Sequence, residues 1–306
     1  MDPNLHAYFE GKIVPFGDAK VSIATHGLNY GTAAFGGLRG YWNADQKKLF
    51  VFRPFDHYKR FLGSAKILAM TLPHTTESLT KITIELLKMD GWQQDVYVRP
   101  LCYKADAGIG VRLHDLRDEV SIFATAFGAY GKNEDGAHVT ISSWRRVDDN
   151  VIPARGKISG AYANSALIKT DAIRAGFDEA LVLDHNGHIS EGTAMNVFMV
   201  RDGVLITPPV YDNILEGITR RTVIELAKNE LGLIVAERSI DRTEAFACEE
   251  LFLTGTAAQV MVVSKVDSRL VGDGKMGPIT AKLRDLFNDV VHGKIEKYNH
   301  WNVAVE

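Results

Sequence analysis

The stretch 128–136 holds three glycines, two acids and a lysine, and it shows no hydrophobic period. Strand-like and helix-like patterns alternate on both sides of it. One unpatterned break between two mixed blocks points to an α+β (α/β-type) chain of two domains. The expected limits are 1–127 for a small N-terminal α/β domain, 128–136 for an interdomain loop, and 137–306 for a larger C-terminal domain.

The first block opens with a hairpin, Tyr8-Phe9 and Ile13-Val14 around Glu10-Gly11-Lys12. Pro54 is suited to the first position of a helix, with Phe55, Tyr58, Leu62, Ala65 and Leu68/Ala69 at helical spacing. A second helix carries Leu79, Ile82, Leu86 and Met89 and ends at Gly91. Residues 96–103 read as a strand whose period of two puts Tyr97, Arg99, Leu101 and Tyr103 on one face. Residues 121–127 read as another.

In the second block, 139–142 reads as a strand, and a helix follows from about Ala161 to Gly176. Asn186-Gly187 predicts a tight hairpin over 179–190. A second hairpin joins 196–200 to 204–207. A helix with Val223, Leu226, Ala227 and Leu231, a strand at 250–253 and a late helix around Leu283 and Phe287 complete the pattern.

The chain of 306 residues is 46% apolar and 24% charged, with a net charge of −3, so a polyanionic partner such as nucleic acid is not expected. No apolar run is long enough to span a membrane, and the N-terminus lacks a signal-peptide layout. Two cysteines, Cys102 and Cys248, give neither a disulfide framework nor zinc-ligand spacing, so no metal is expected. Both are expected to be plain structural thiols, and a reducing, cytoplasmic setting is the default.

Between Lys157 and Thr219 three chemistries follow in order. Lys157 sits among the small residues Gly156, Ser159, Gly160 and Ala161, where a ring can approach the backbone. Its amine can capture an aldehyde. Glu191, in Ser190-Glu191-Gly192, can face a ring nitrogen. Gly217-Ile218-Thr219 opens a helix whose free N–H groups suit a phosphate. Aldehyde, ring nitrogen and phosphate are the parts of one cofactor, pyridoxal 5'-phosphate (PLP). Gly255-Thr256-Ala257-Ala258 offers a second cluster of N–H groups. Arg60 on the first helix, and Tyr97 with Arg99 on one strand face, can meet anions. Each feature alone also suits an ordinary solvated side chain, turn or helix start.

Together they resemble the branched-chain amino acid aminotransferases, within the fold type IV (D-amino-acid aminotransferase-like) PLP enzymes. The likeness runs along nearly the whole chain. It rests on His26-Gly27-Leu28-Asn29-Tyr30-Gly31, Phe35-Gly36-Gly37-Leu38-Arg39, Arg60 with Ser64-Ala65-Lys66, Tyr97-Val98-Arg99-Pro100-Leu101 and Gly108-Ile109-Gly110-Val111. It continues through Ser142-Ser143-Trp144, the Lys157 segment, Ser190-Glu191-Gly192, Gly217-Ile218-Thr219-Arg220 and Gly255-Thr256-Ala257-Ala258.

The resemblance implies a transaminase moving an amino group between Leu, Ile or Val and 2-oxoglutarate. It implies that Lys157 binds PLP and shuttles the proton. Glu191 would pair with the ring nitrogen, and Tyr162 with the phenolic oxygen. Arg60, Ile218, Thr219 and Thr256 would hold the phosphate. Thr256, Ala257 and Tyr97 would take the substrate α-carboxylate, and Arg99 the distal carboxylate of glutamate. Tyr30, Phe35, Gly37, Phe127 and Tyr130 would wall the pocket, completed by Val111 of a second subunit, so a homodimer or higher homo-oligomer is expected.

Two departures bear on substrate range. Gly36 stands where the family usually has Glu, and Phe127 where many bacterial members carry Trp. A sister enzyme of the same fold therefore stays open: an (R)-amine or D-amino-acid transaminase, or an aminodeoxychorismate lyase. So does a PLP-binding protein without catalysis.

Overall fold

A computed structural model describes residues 4–128 and 136–306. They form two compact units. The first holds the described part of Met1–Gly128 with Gly156–Ala161 and Asp289–Glu306. The second holds the described part of Ala129–Arg155 with Tyr162–Asn288.

The first unit is built on β1 (His6–Phe9), β2 (Lys12–Pro15), β3 (Ala33–Phe35), β4 (Leu38–Asn43), β5 (Lys48–Phe52), β6 (Val96–Lys104) and β7 (Asp118–Ala126). With the C-terminal strand Asn302–Val305 they make an eight-stranded sheet. Its order is Asn302–Val305, β5, β4, β6, β7, β1, β2, and β3 pairs separately with β6. The opening hairpin forms as expected, with Glu10 and Gly11 both left-handed at φ 47° and 80°. In β6 the apolar residues Val96, Val98 and Cys102 are fully buried on one face. Tyr97, Arg99 and Leu101 are half-buried on the other, so the alternation in burial holds as far as Cys102 and ends at Tyr103, which is buried.

The short helix α1 (His26–Tyr30) precedes β3, and α2 (Pro54–Ile67) and α3 (Thr76–Met89) lie between β5 and β6. The apolar stripe expected on α2 holds at Tyr58, Ala65 and Leu68, which are buried, and fails at its first residue. Phe55 is 46% exposed, whereas Pro54, His57, Tyr58, Phe61, Ser64 and Ala65 are buried. On α3, Leu79 and Leu86 are buried as expected, but Met89 is exposed and Leu87 takes its place inside. Thr75 and Ser78 close a reciprocal cap at the start of α3.

The second unit carries β8 (Ala137–Arg145), α4 (Tyr162–Arg174), β9 (Glu179–Leu183), β10 (Ile189–Gly192), β11 (Asn196–Arg201) and β12 (Val204–Thr207). It continues with α5 (Ile218–Asn229), β13 (Val235–Glu237), β14 (Glu250–Gly255), β15 (Gln259–Val266) and β16 (Arg269–Leu270). The nine-stranded sheet runs β10, β9, β8, β15, β14, β11, β12, β13, with β16 on β15. Two parallel pairs follow helical crossovers, β8 to β9 through α4 and β12 to β13 through α5, and a third joins β15 to β8. One face buries Val139, Leu181, Val197, Met199, Leu251, Leu253 and Val263. The face under α4 buries Ile168, Ala172, Ala180 and Val182.

The β9–β10 connection forms the expected hairpin around Asn186-Gly187. The Asp184 N–H donates to the His188 carbonyl, and the Gly187 N–H to the Asp184 carbonyl. Gly187 alone is left-handed, at φ 91°. The loop is closed by a left-handed glycine, a common hairpin solution. The final helix, α6 (Pro278–Val291), buries Leu283, Phe287 and Val290.

Candidate active site

On the first unit, Lys157 is fixed through its main chain. Its N–H donates to Ser64 Oγ at 3.0 Å, and its carbonyl accepts from the Phe35 N–H at 3.0 Å. The next residue, Ile158, bridges antiparallel to Ala34 of β3. Ser64 in turn donates to the Arg60 carbonyl at 3.0 Å, so α2 holds both the Lys157 backbone and Arg60. The lysine amine lies 5.0 Å from the Phe35 ring centroid. An ammonium or amine on a ring face keeps an apolar neighbour on one side while leaving its own atoms able to react.

The same ring continues a row of cations and aromatics. The Arg99 guanidinium sits 4.5 Å from the Phe35 centroid and 5.2 Å from that of Tyr97. Arg99 Nη2 donates to the Tyr97 hydroxyl at 3.3 Å. Tyr97 and Phe127 rings lie 5.3 Å apart. Gly37 belongs to this row by having no side chain, because a Cβ there would overlap the Tyr97 hydroxyl oxygen. A Cβ on Gly36 would come within 2.6 Å of Pro100 Cγ, so the missing acid at this position matches a space closed by the proline ring. Tyr30 is half-buried beside His26, and its hydroxyl accepts from the Gly110 N–H at 3.0 Å. Val111 is 87% exposed on the single chain. Tyr130 falls outside the described residues.

On the second unit, Glu191 is fixed through its side chain, which is 5% exposed. Oε1 pairs with Arg146 Nη2 at 3.0 Å, and Oε2 accepts from the Leu215 N–H at 3.0 Å and Asn196 Nδ2 at 3.3 Å. Asn196 Nδ2 also reaches the Leu215 carbonyl at 2.9 Å, and Arg146 Nε the Asn213 carbonyl at 3.2 Å. Sequence reasoning missed Arg146, Asn196 and Leu215. Asn196 and Leu215 lie 5 and 24 residues beyond Glu191, and Arg146 follows the end of β8, so no local pattern links them.

Gly217 is the N-cap of α5 and makes no side-chain cap. The first-turn N–H groups of a helix have no intrahelical acceptor, and here no side-chain cap takes its place. A Cβ on Gly217 would overlap Asn196 Oδ1, so the tight approach of β11 to the helix start requires glycine. Ile218 and Thr219 are buried at this end. Thr256 and Ala257 lie half-buried in the turn between β14 and β15, where Gly255 pairs with Gln259. Tyr162 opens α4 and is half-buried.

Both cysteines are buried, and burial pushes each thiol up to about 12. Neither supplies a thiolate near neutral pH. Among the described residues, no His, Cys, Asp and Glu group could hold a metal ion. Nor is any helix there long and apolar enough to cross a membrane.

The donor set fits PLP. An amine faces an aromatic ring, a carboxylate is held rigidly by three donors, and an uncapped helix start is shaped by a glycine that a Cβ would block.

Comparison with known proteins supports the same chemistry. Residues 42–266 match the amino-transferase class IV family. A probable branched-chain-amino-acid aminotransferase of Aquifex aeolicus (strain VF5) is 45% identical over 98% of this chain and 96% of its own length. Among solved structures, the branched-chain aminotransferase of Thermoproteus uzoniensis with norvaline superposes with a TM-score of 0.95. It shares 40% identity and covers 99% of each chain. The branched-chain amino acid aminotransferase of Thermobaculum terrenum in its PLP form gives a TM-score of 0.94. Its identity is 36%, over 100% of each chain.

Proposed function

As the chain belongs to the amino-transferase class IV family, we propose that it is a PLP-dependent transaminase acting on branched-chain L-amino acids, with 2-oxoglutarate as acceptor. The observation that carries the substrate reading is the row Lys157, Phe35, Arg99, Tyr97, Phe127. It puts a reactive amine beside aromatic walls and one guanidinium. Apolar branches pack on the rings, while glutamate needs the cation for its distal carboxylate. One wall can serve both halves of the reaction.

Bound PLP supplies an aldehyde and a sink for the electron pair left when the substrate α-proton departs. The chain's own groups do the rest. Lys157 Nζ would hold the aldehyde carbon at rest and, once displaced there by the substrate amine, would be free to take the α-proton. The Glu191 carboxylate, immobilised by Arg146, Asn196 and the Leu215 N–H, keeps a proton on the ring nitrogen. The first turn of α5 at Ile218 and Thr219, with Arg60 and Thr256, would hold the phosphate. Tyr162 holds the phenolic oxygen. The Thr256 and Ala257 N–H groups and the Tyr97 hydroxyl receive the α-carboxylate. Arg99 would orient glutamate, Tyr30, Phe35, Gly37 and Phe127 would wall the pocket, and Val111 of the partner subunit would complete it.

The proposal includes a homodimer or higher homo-oligomer. Ile109 and Val111, 97% and 87% exposed, are the apolar residues a second copy would cover. It includes a domain division at 1–127 and 137–306 and a reducing, cytoplasmic setting.

Half-reactions test it. The PLP form is mixed separately with L-leucine, L-glutamate, D-alanine and (R)-1-phenylethylamine, and the cofactor absorbance is followed. Rapid change with L-leucine and L-glutamate is expected. A response to D-alanine with none to L-leucine overturns the substrate assignment.

A further inference from the structure

We propose that Arg39 is a positioning residue. It holds Phe127 in place and thereby sets how strongly the enzyme prefers a branched apolar side chain to one bearing a carboxylate. The inference rests on the proposed role of Phe127 as a pocket wall.

Arg39 is 2% exposed in β4, paired in register with Tyr97 of β6. Its Nη2 lies 3.0 Å from Asp95 Oδ2, 3.1 Å from the Phe127 carbonyl and 3.3 Å from the Gly128 carbonyl. An Nη2 group has two hydrogens, so these three acceptors share them. The Phe127 N–H donates to the Asp95 carbonyl at 3.0 Å. Both backbone polar groups of Phe127 therefore end on the Arg39–Asp95 pair. Asp95 is itself anchored, since its Oδ1 accepts from the Trp42 N–H at 2.9 Å.

This clamp stands where the sheet stops. The last register pair between β6 and β7 is Val96 with Ala126, so Phe127 lies just beyond the ladder. The guanidinium also lies over two rings, 5.3 Å from the Phe127 centroid and 5.0 Å from that of Tyr41. From Phe127 the contact passes to the Tyr97 ring, and from the Tyr97 hydroxyl to Arg99.

Asp95 is 27% exposed, so the pair is weak evidence for stability; what fixes the geometry is that Arg39 Nη2 and the Asp95 carbonyl between them hold both backbone polar groups of Phe127. Geometry matters unequally for the two substrates. A ring wall displaced by about 0.5–1 Å forfeits a quarter to a half of its dispersion contact with an apolar branch. A charge pair with Arg99 falls off only as the inverse of distance. Loosening Phe127 therefore penalises leucine more than glutamate.

The test compares the PLP-loaded full-length enzyme with its Arg39→Met and Arg39→Lys variants, measuring kcat/KM for L-leucine and L-glutamate. Arg39→Met is expected to lower the leucine-to-glutamate ratio about tenfold, mainly through the KM for leucine. Arg39→Lys keeps the charge without the planar fork and recovers part of the ratio. A lower Tm with the ratio unchanged within about twofold overturns the inference, because a merely structural role affects both substrates alike. If Arg39→Met does not fold, Arg39→Lys and Asp95→Asn are read by the same ratio. No change in either overturns it. A wild-type enzyme that turns over neither substrate refutes the proposed function, and this inference with it.

Discussion

Lys157 and Glu191 are held in opposite ways. Lys157 is pinned by its backbone, through Ser64, Phe35 and the bridge from Ile158 to Ala34, with its amine placed against a ring face. Glu191 is pinned by its side-chain oxygens, through Arg146, Asn196 and the Leu215 N–H. The difference matches the role proposed for each group. An amine that must bind, release and carry a proton needs a fixed root and a mobile tip. A carboxylate that must hold one proton in one place needs a fixed tip.

The comparison can be broken at three points. The largest effect is expected from Lys157→Ala, which removes the tip and leaves the main-chain anchors. The half-reaction with L-leucine should slow by at least about 10³-fold while the Tm stays close to that of the wild type. Retained turnover would remove Lys157 from the mechanism. Next comes Glu191→Gln, which leaves Arg146 without its counter-charge in a buried place. Urea unfolding should show a loss of about 3 kcal/mol, together with weaker PLP retention on dialysis. Unchanged stability would mean that the three donors do not hold the tip. The smallest effect is expected from Ser64→Ala, which deprives the Lys157 N–H of its acceptor. A stability loss of about 1–2 kcal/mol with a modest fall in kcat is predicted. A Ser64→Ala variant as slow as Lys157→Ala would show that root and tip are not separable.

The two anchoring schemes were unequally legible. Lys157, Glu191 and the helix start at Gly217 stand out in the chain because glycine and small residues surround them and because the motifs resemble a known family. Their supports do not. On α2, spacing pointed to Phe55 as a buried position, yet it is exposed, and Ser64 is buried instead. Hydrophobic periodicity counts apolar types only, so it overlooks a serine that goes inside because it has a hydrogen bond to make there. No local pattern marks Arg146, whose role shows only once its carboxylate partner is in view. Asn186-Gly187 signalled the hairpin, whose loop closes with Gly187 left-handed. Loop length depends on how β9 and β10 meet the rest of their sheet, which two residues do not encode.

What the chain determined unaided was local: the period of two in β6, the breaks at Gly11, Gly91 and Gly176, and the order of amine, acid and glycine-led helix start. These depend on backbone sterics and side-chain chemistry within a few residues. The tertiary structure decided which distant groups meet. It gathered 156–161 and 289–306 with the N-terminal unit, set Arg146 on Glu191, and closed Arg39 and Asp95 around Phe127. Such pairings arise only when burial leaves charged and polar atoms no water to turn to, so that each must find its partner across the fold.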